Sequence, residues 1–197
     1  MDVMCLDLEG VLLPEIWKGV ANKTGIKELE LTTRNIPDYN ELMSNRLRIM
    51  EQNQLDLSVL QEVVSQLEPL AGAKDFLDWL RTEFQVVILS DTFYEFAKPL
   101  IAQLGWPTLF CHHLEVENNN KISGYRLRME DHKRMAVQSL QKLNFNVKAA
   151  GDSYNDISML KAADEGYLFN APSSIIKQFT QFPTFNNYDE LKYYLKN

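Results

Sequence analysis

Two acids, Asp7 and Glu9, stand where an apolar run ends and a glycine follows, in the stretch "CLDLEGVLLPE" (5–15). Carboxylates so placed can serve as nucleophile, as proton donor and acceptor, or as ligands to a hard cation. Similar groups recur in two more places. "ILSDT" (88–92) ends a second apolar run with Ser90 and Asp91, and "GDSYND" (151–156) ends a third with Asp152, Asn155 and Asp156. Lys133 stands between them in "DHKR" (131–134). In open α/β sheets ligands bind beyond the carboxyl ends of the strands, so these acids and the Ser90 hydroxyl are expected to converge on one edge. Gathered like charges repel unless a cation lies among them, and a hard, all-oxygen site favours Mg²⁺.

The elements that must position these groups can be read from periodicity. Short apolar runs at 3–8, 85–90, 108–113 and 147–152, with a weaker one at 166–170, predict buried strands. They show little alternation, as parallel strands covered on both faces do. Helical periodicity fills 73–84, 93–105, 131–143 and 155–164, so a doubly wound α/β parallel sheet is the expected fold class. Residues 15–67 break the alternation, with helical stretches at 39–52 and 57–67 and no strand, and Pro69 and Gly72 close the excursion. The segment 115–128 reads as a β-hairpin whose turn contains Asn118 to Asn120, and 189–197 as a surface helix.

Length and composition exclude several classes. At 197 residues with 45% apolar residues, the chain holds one domain with a sizeable core. Its net charge of -7 argues against nucleic acid or an anionic membrane as partner, though a local site can still take a small anion. Cys5 and Cys111 give no disulfide framework, and no signal peptide or membrane-spanning run is evident. A cytoplasmic protein is expected, with a homodimer left open.

"DLEGV" (7–11), "ILSDT" (88–92), Lys133 and "GDSYND" (151–156), in this order, resemble the four motifs of the haloacid dehalogenase (HAD) superfamily phosphatases. The likeness spans nearly the whole chain, and the helical insert resembles a C1-type cap, which implies a HAD-type core at 1–14 and 69–197 and a cap at 15–68. Within the superfamily the chain is similar to phosphoserine phosphatases, and among these to the bifunctional phosphoserine phosphatase/homoserine phosphotransferase branch, whose first motif also reads DLEG. The resemblance implies that Asp7 is the nucleophile, forming an aspartyl-phosphate. It implies Mg²⁺ held by Asp7, the Glu9 backbone carbonyl and Asp152, with Asp156 behind them. Ser90, the Asp91 N–H, Lys133 and Asn155 would hold the transferring phosphate. Glu9, where Asp is commoner, would carry the proton to and from the exchanging alcohol or water.

Substrate choice is expected from the insert. By resemblance, Glu15 would bind the substrate ammonium and Arg46 its carboxylate, with the aromatic Tyr39 on the same helix face as Arg46. An acid for an amine and an arginine for a carboxylate describe O-phosphoserine, with water or homoserine as acceptor. Blander readings stand beside these. Arg134 competes with Lys133, Arg48 with Arg46, and Glu15 could simply favour a helix start. Another small phosphomonoester, or a non-catalytic phosphate-sensing module, are the alternative functions. Neighbouring His112 and His113 point to opposite faces of a strand and so cannot chelate one ion together. They read as structural, as does Cys5, while Met43 reads as packing that could reach a substrate.

Overall fold

The computed structural model describes residues 1–32, 35–36 and 38–197. The chain runs β1 (Asp2–Leu6), α1 (Ile16–Thr24), α2 (Tyr39–Gln52), α3 (Leu57–Ser65), α4 (Ala73–Glu83), β2 (Gln85–Phe93), α5 (Tyr94–Gln103), β3 (Thr108–Val116) and β4 (Ile122–Arg126). It continues with α6 (His132–Lys142), β5 (Asn146–Gly151), α7 (Ile157–Ala162), β6 (Glu165–Phe169), α8 (Ser173–Gln178), β7 (Thr184–Phe185) and α9 (Tyr188–Lys196). The strands form one sheet in the order β4-β3-β2-β1-β5-β6-β7, parallel except for the β3–β4 pair. β1 lies between β2 and β5, so the chain winds outward from it in both directions. The expected doubly wound α/β class is the observed one.

Alternation along the central strands explains why both faces are covered. Met4, Leu6 and Ile88 pack into one apolar cluster, and Val3, Cys5, Val87 and Leu89 into another. Side chains of successive residues leave a strand on opposite sides, so these two sets mark its two faces. Of the helices between β1 and α4, α2 and α3 start where their sequences supply caps. The Asp38 carboxylate accepts from the N–H groups of Asn40 and Glu41 to begin α2, and the Asp56 carboxylate accepts from Val59 to begin α3. The β3–β4 hairpin reaches across to these helices. Tyr125 donates to Asn40 (2.6 Å), Lys121 pairs with Glu51 (2.9 Å), and the Leu57 N–H donates to the Asn120 carbonyl (3.0 Å). Asn120 takes the left-handed turn conformation (φ 66°) its residue type tolerates.

The strand ends differ from expectation at β1, at β2 and at β3, which runs on to Val116. β1 stops at Leu6, because the Leu8 carbonyl accepts from both Leu12 and Leu13 and turns the chain. β2 runs on to Phe93 with its register against β3 shifting between Leu89 and Phe93, so Ser90 and Asp91 sit in an irregular stretch inside the strand. The expected helix at 155–164 divides into a 3₁₀ turn, Tyr154–Asp156, capped by Ser153 and Asp156, and α7. Two short elements, α8 and β7, lie below the length at which periodicity registers.

Gly166 shows why the weakest strand signal is weak. A Cβ there would lie 2.5 Å from the Leu160 carbonyl oxygen of α7, so the close approach of helix and strand leaves no room for a side chain. Gly166→Ala is therefore expected to cost about 1–3 kcal/mol. The check is a lower urea midpoint at unchanged slope; a midpoint equal to that of the native chain would mean that α7 can shift freely.

Candidate active site

The carboxyl ends of β1 and β5 and the start of α6 meet at Lys133. Its Nζ donates to Asp7 Oδ1 (2.8 Å) and to Asp156 Oδ1 (2.7 Å), and lies 3.8 Å from Asp91 Oδ2. Lys133, Asp7 and Asp156 are all buried, at 2%, 5% and 0% exposure. Burial alone would lower the lysine, but Asp156, Asp7 and Asp91 hold its ammonium well above the usual range. Burial and the charge of Asp156 push Asp7 upward, against the pull of Lys133. Asp7 Oδ1 also accepts from the Leu8 N–H (2.7 Å). The acid cluster is crowded: Asp7, Asp152 and Asp156 bring carboxylate oxygens within 4.8 Å of one another. Asp156 is fully engaged, its Oδ2 accepting from the N–H groups of Asp152 and Ser153.

Glycine makes that crowding possible. Gly10 has φ 81°, and a Cβ on it would meet the Asp152 carboxyl at 2.5 Å. A Cβ on Gly151 would lie 2.4 Å from the Asp156 side chain. The glycines in "DLEG" and "GDSYND" thus leave space for the acids that follow or face them.

Asp91 joins a polar group that its neighbours' sequence positions conceal. Its carboxylate accepts from Asn155 Nδ2 (2.6 Å) and from His132 Nε2 (3.0 Å), with His112 Nε2 at 3.3 Å. Burial opposes ionisation, but Lys133 and the hydrogen bonds from His112 and His132 outweigh it and hold Asp91 well below the usual carboxylate range. The three groups lie close enough to chelate an ion. The tautomer argues otherwise: His112 Nδ1 accepts from the Arg128 N–H (3.2 Å), so its Nε2 carries the proton and donates to Asp91. His113 turns the other way, to Glu95 (2.9 Å), as expected of neighbours on a strand.

The helical segment 15–68 closes the other side of the cavity. Glu9 Oε2 accepts from the Ile16 N–H (2.9 Å) at the start of α1, which fixes its longer side chain. Burial and the nearby Glu15 raise its carboxyl to about 7. Glu15 precedes α1 without capping it, and its side chain lines the cavity. Tyr39 donates to the Asp91 carbonyl (3.0 Å), tying α2 to β2. Arg46 is buried, at 6% exposure, and its Nη2 donates to the Leu31 carbonyl (2.8 Å).

One cavity therefore gathers Asp7, Glu9, Glu15, Tyr39, Arg46, Ser90, Asp91, Lys133, Asp152 and Asn155, and Asp156 lies behind it. The competitors fall away: Arg134 pairs with exposed Asp131, and Arg48 with Gln52 (3.1 Å). Met43 is fully buried beneath Arg46, and Leu42 takes its place on the cavity wall. Sequence reasoning missed Trp17, Thr32 and Ser153 on this wall, and the part played by His132. Trp17 follows Glu15 by two residues, but an aromatic at a helix start reads as core.

Residues 1–164 match the family model described as haloacid dehalogenase-like hydrolase. The chain is 55% identical over 192 residues to phosphoserine phosphatase ThrH of Pseudomonas aeruginosa, covering 98% of this chain and 94% of that one. It is 54% identical to a phosphoserine phosphatase of Pseudomonas syringae pv. tomato, covering 98% and 81%. A solved phospho-aspartyl intermediate analogue of phosphoserine phosphatase shares the fold, with a TM-score of 0.80 at 18% identity and 98% of both chains covered.

Removing the ammonium should reveal how much the buried acids depend on it. Lys133→Met leaves Asp7 and Asp156 without their cation and is expected to cost about 3–5 kcal/mol of stability. Adding Asp156→Asn should recover a large part of that loss in denaturant unfolding. A Lys133→Met chain as stable as the native one would show that the acids are already neutral.

Proposed function

The chain belongs to the haloacid dehalogenase-like hydrolase family, and on that premise we propose that it is a Mg²⁺-dependent phosphatase acting on O-phosphoserine. The observation that carries this reading is the cavity's pairing of Lys133 and its acids with a second buried cation, Arg46. Arg46 forms no ion pair with a carboxylate among the described residues. Glu9 and Glu15 act on it only through space, and a buried cation without a directly paired acid is costly and suits a site that receives an anionic group.

In this reading the Asp7 carboxylate attacks phosphorus, and an aspartyl-phosphate forms as the serine oxygen leaves. Ser90, the Asp91 N–H, Lys133 and Asn155 hold the phosphoryl oxygens and offset their charge. Glu9, poised near neutrality, gives its proton to the departing serine oxygen and takes one from the acceptor that later attacks the aspartyl-phosphate. The crowded acids fit a hard cation: their donors are all oxygen, and burial together with their mutual repulsion raises Asp7. Asp7, Asp152 and the Glu9 carbonyl would hold Mg²⁺, which when bound supplies charge neutralisation between the carboxylate nucleophile and the phosphate.

Residues 15–68 act as the cap that selects the substrate, Glu15 taking the ammonium and Arg46 the carboxylate. Homoserine carries the same two groups one methylene further from its hydroxyl. The residues that orient serine therefore also orient homoserine as acceptor, and an oriented alcohol competes with bulk water.

The test is Mg²⁺-dependent phosphate release from O-phosphoserine and from an aryl phosphate, by the native chain and Arg46→Lys. Lysine keeps the charge but loses the two-pronged grip, so KM for phosphoserine should rise roughly tenfold or more, far beyond any change on the aryl phosphate. Equal losses on both substrates would place Arg46 with the phosphate or with stability. Turnover of neither by the native chain would point instead to a phosphate-sensing module.

A further inference from the structure

Arg46 is held in an unusual way for a buried cation. Its guanidinium carbon lies 4.3 Å from the centre of the Trp17 ring. Among the described residues, Nη2 donates to the Leu31 carbonyl (2.8 Å), Nη1 reaches only the Met43 sulfur (3.7 Å), and Nε is buried without a hydrogen-bond partner. Among the described residues, one full hydrogen bond and an aromatic face thus stand in for water around a residue that is 6% exposed, with Glu9 and Glu15 acting on its charge only through space.

An aromatic face does something here that an acid cannot. A carboxylate would neutralise the arginine and occupy the fork that an incoming carboxylate needs. A ring attracts the cation through its quadrupole, more strongly when both are desolvated, and consumes neither charge nor N–H donors. Trp17 is well braced for this task. It is itself 6% exposed, and it meets Phe96 edge-on at 6.0 Å and 84°. Phe96 packs in turn on Phe93, at 5.7 Å, at the end of the strand that carries Ser90 and Asp91. Trp17 also follows Ile16, whose N–H holds Glu9. The ring that supports Arg46 is therefore fixed to the same framework as the phosphate end of the cavity.

We propose that Trp17 is the positioning residue for Arg46: its ring holds the guanidinium at the cavity wall with donors to spare, and so sets a preference for phosphorylated amino acids over analogues lacking the carboxylate. This inference rests on the substrate reading above and deepens it.

The test compares kcat/KM for O-phosphoserine and for O-phosphoethanolamine, which keeps phosphate and ammonium but has no carboxylate. The purified chain with Mg²⁺ is assayed alongside Trp17→Phe and Trp17→Leu. The native chain should prefer phosphoserine. In Trp17→Leu the ratio of the two should fall roughly tenfold, through KM for phosphoserine more than through kcat. Trp17→Phe, which keeps a weaker ring face, should fall between, by about two- to threefold. A Trp17 that only fills space would lower both substrates together and leave the ratio unmoved, and that result overturns the inference. So does a Phe variant as impaired as Leu. Should the Leu variant not fold, the Phe variant decides alone, an unchanged ratio overturning the proposal. A native chain with no preference for phosphoserine would sink the role given to Arg46, and this inference with it. A native preference that survives both substitutions would sink this inference only.

Discussion

Lys133 Nζ lies 2.8 Å from Asp7 Oδ1 and 2.7 Å from Asp156 Oδ1, with all three side chains withdrawn from solvent. These groups come from the end of β1, the first turn of α6 and the turn after β5, and the rest of the site is arranged around holding them together. Placing an ammonium between two carboxylates in the interior is favourable only when each is fully hydrogen-bonded. Asp156 meets that demand through the backbone N–H groups of Asp152 and Ser153, while Asp7 is held on Oδ1 by the N–H of Leu8. Gly10 and Gly151 are required for the same reason, since a side chain at either would occupy the space of a neighbouring carboxylate.

The second buried cation is treated in the opposite way. Lys133 is surrounded by acids, whereas Arg46 is given a carbonyl, a sulfur and a ring. Two cations in one cavity with such different companions are expected to meet different parts of one ligand. The helices that carry Arg46 are joined to the sheet by few polar links. Tyr39 bonds the Asp91 carbonyl, and the β3–β4 hairpin bonds α2 and α3 through Tyr125, Lys121 and Asn120. The hairpin, an extension of the sheet's antiparallel edge, thereby fixes how the helical segment sits over the strand ends.

What could be read from residues alone follows from range. The central strands and the longer helices carry their own periodicity, and Tyr39–Gln52 was expected with the limits it has. Asp7 and Asp152 follow strand ends, where a doubly wound sheet must gather them. The unread features depend on contacts between distant residues. Asp91, His112 and His132 lie on three elements, and nothing local marks them as one hydrogen-bonded group. Trp17 has the composition of a core residue and acquires its place only from Arg46, which approaches it from another helix. The shift of register within β2, which sets Ser90 and Asp91 inside the strand, likewise depends on its pairing with β3.

The central claim is that the site built on Lys133 presents Asp7 as a nucleophile toward phosphorus. Acid quenching during turnover of O-phosphoserine with Mg²⁺, followed by mass spectrometry of the digested chain, tests this most directly. The account predicts a phosphoryl group on the peptide bearing Asp7, lost on chasing with unphosphorylated acceptor and absent from Asp7→Asn. Steady turnover with the phosphoryl group found on another residue, or undiminished turnover by Asp7→Asn, would contradict it.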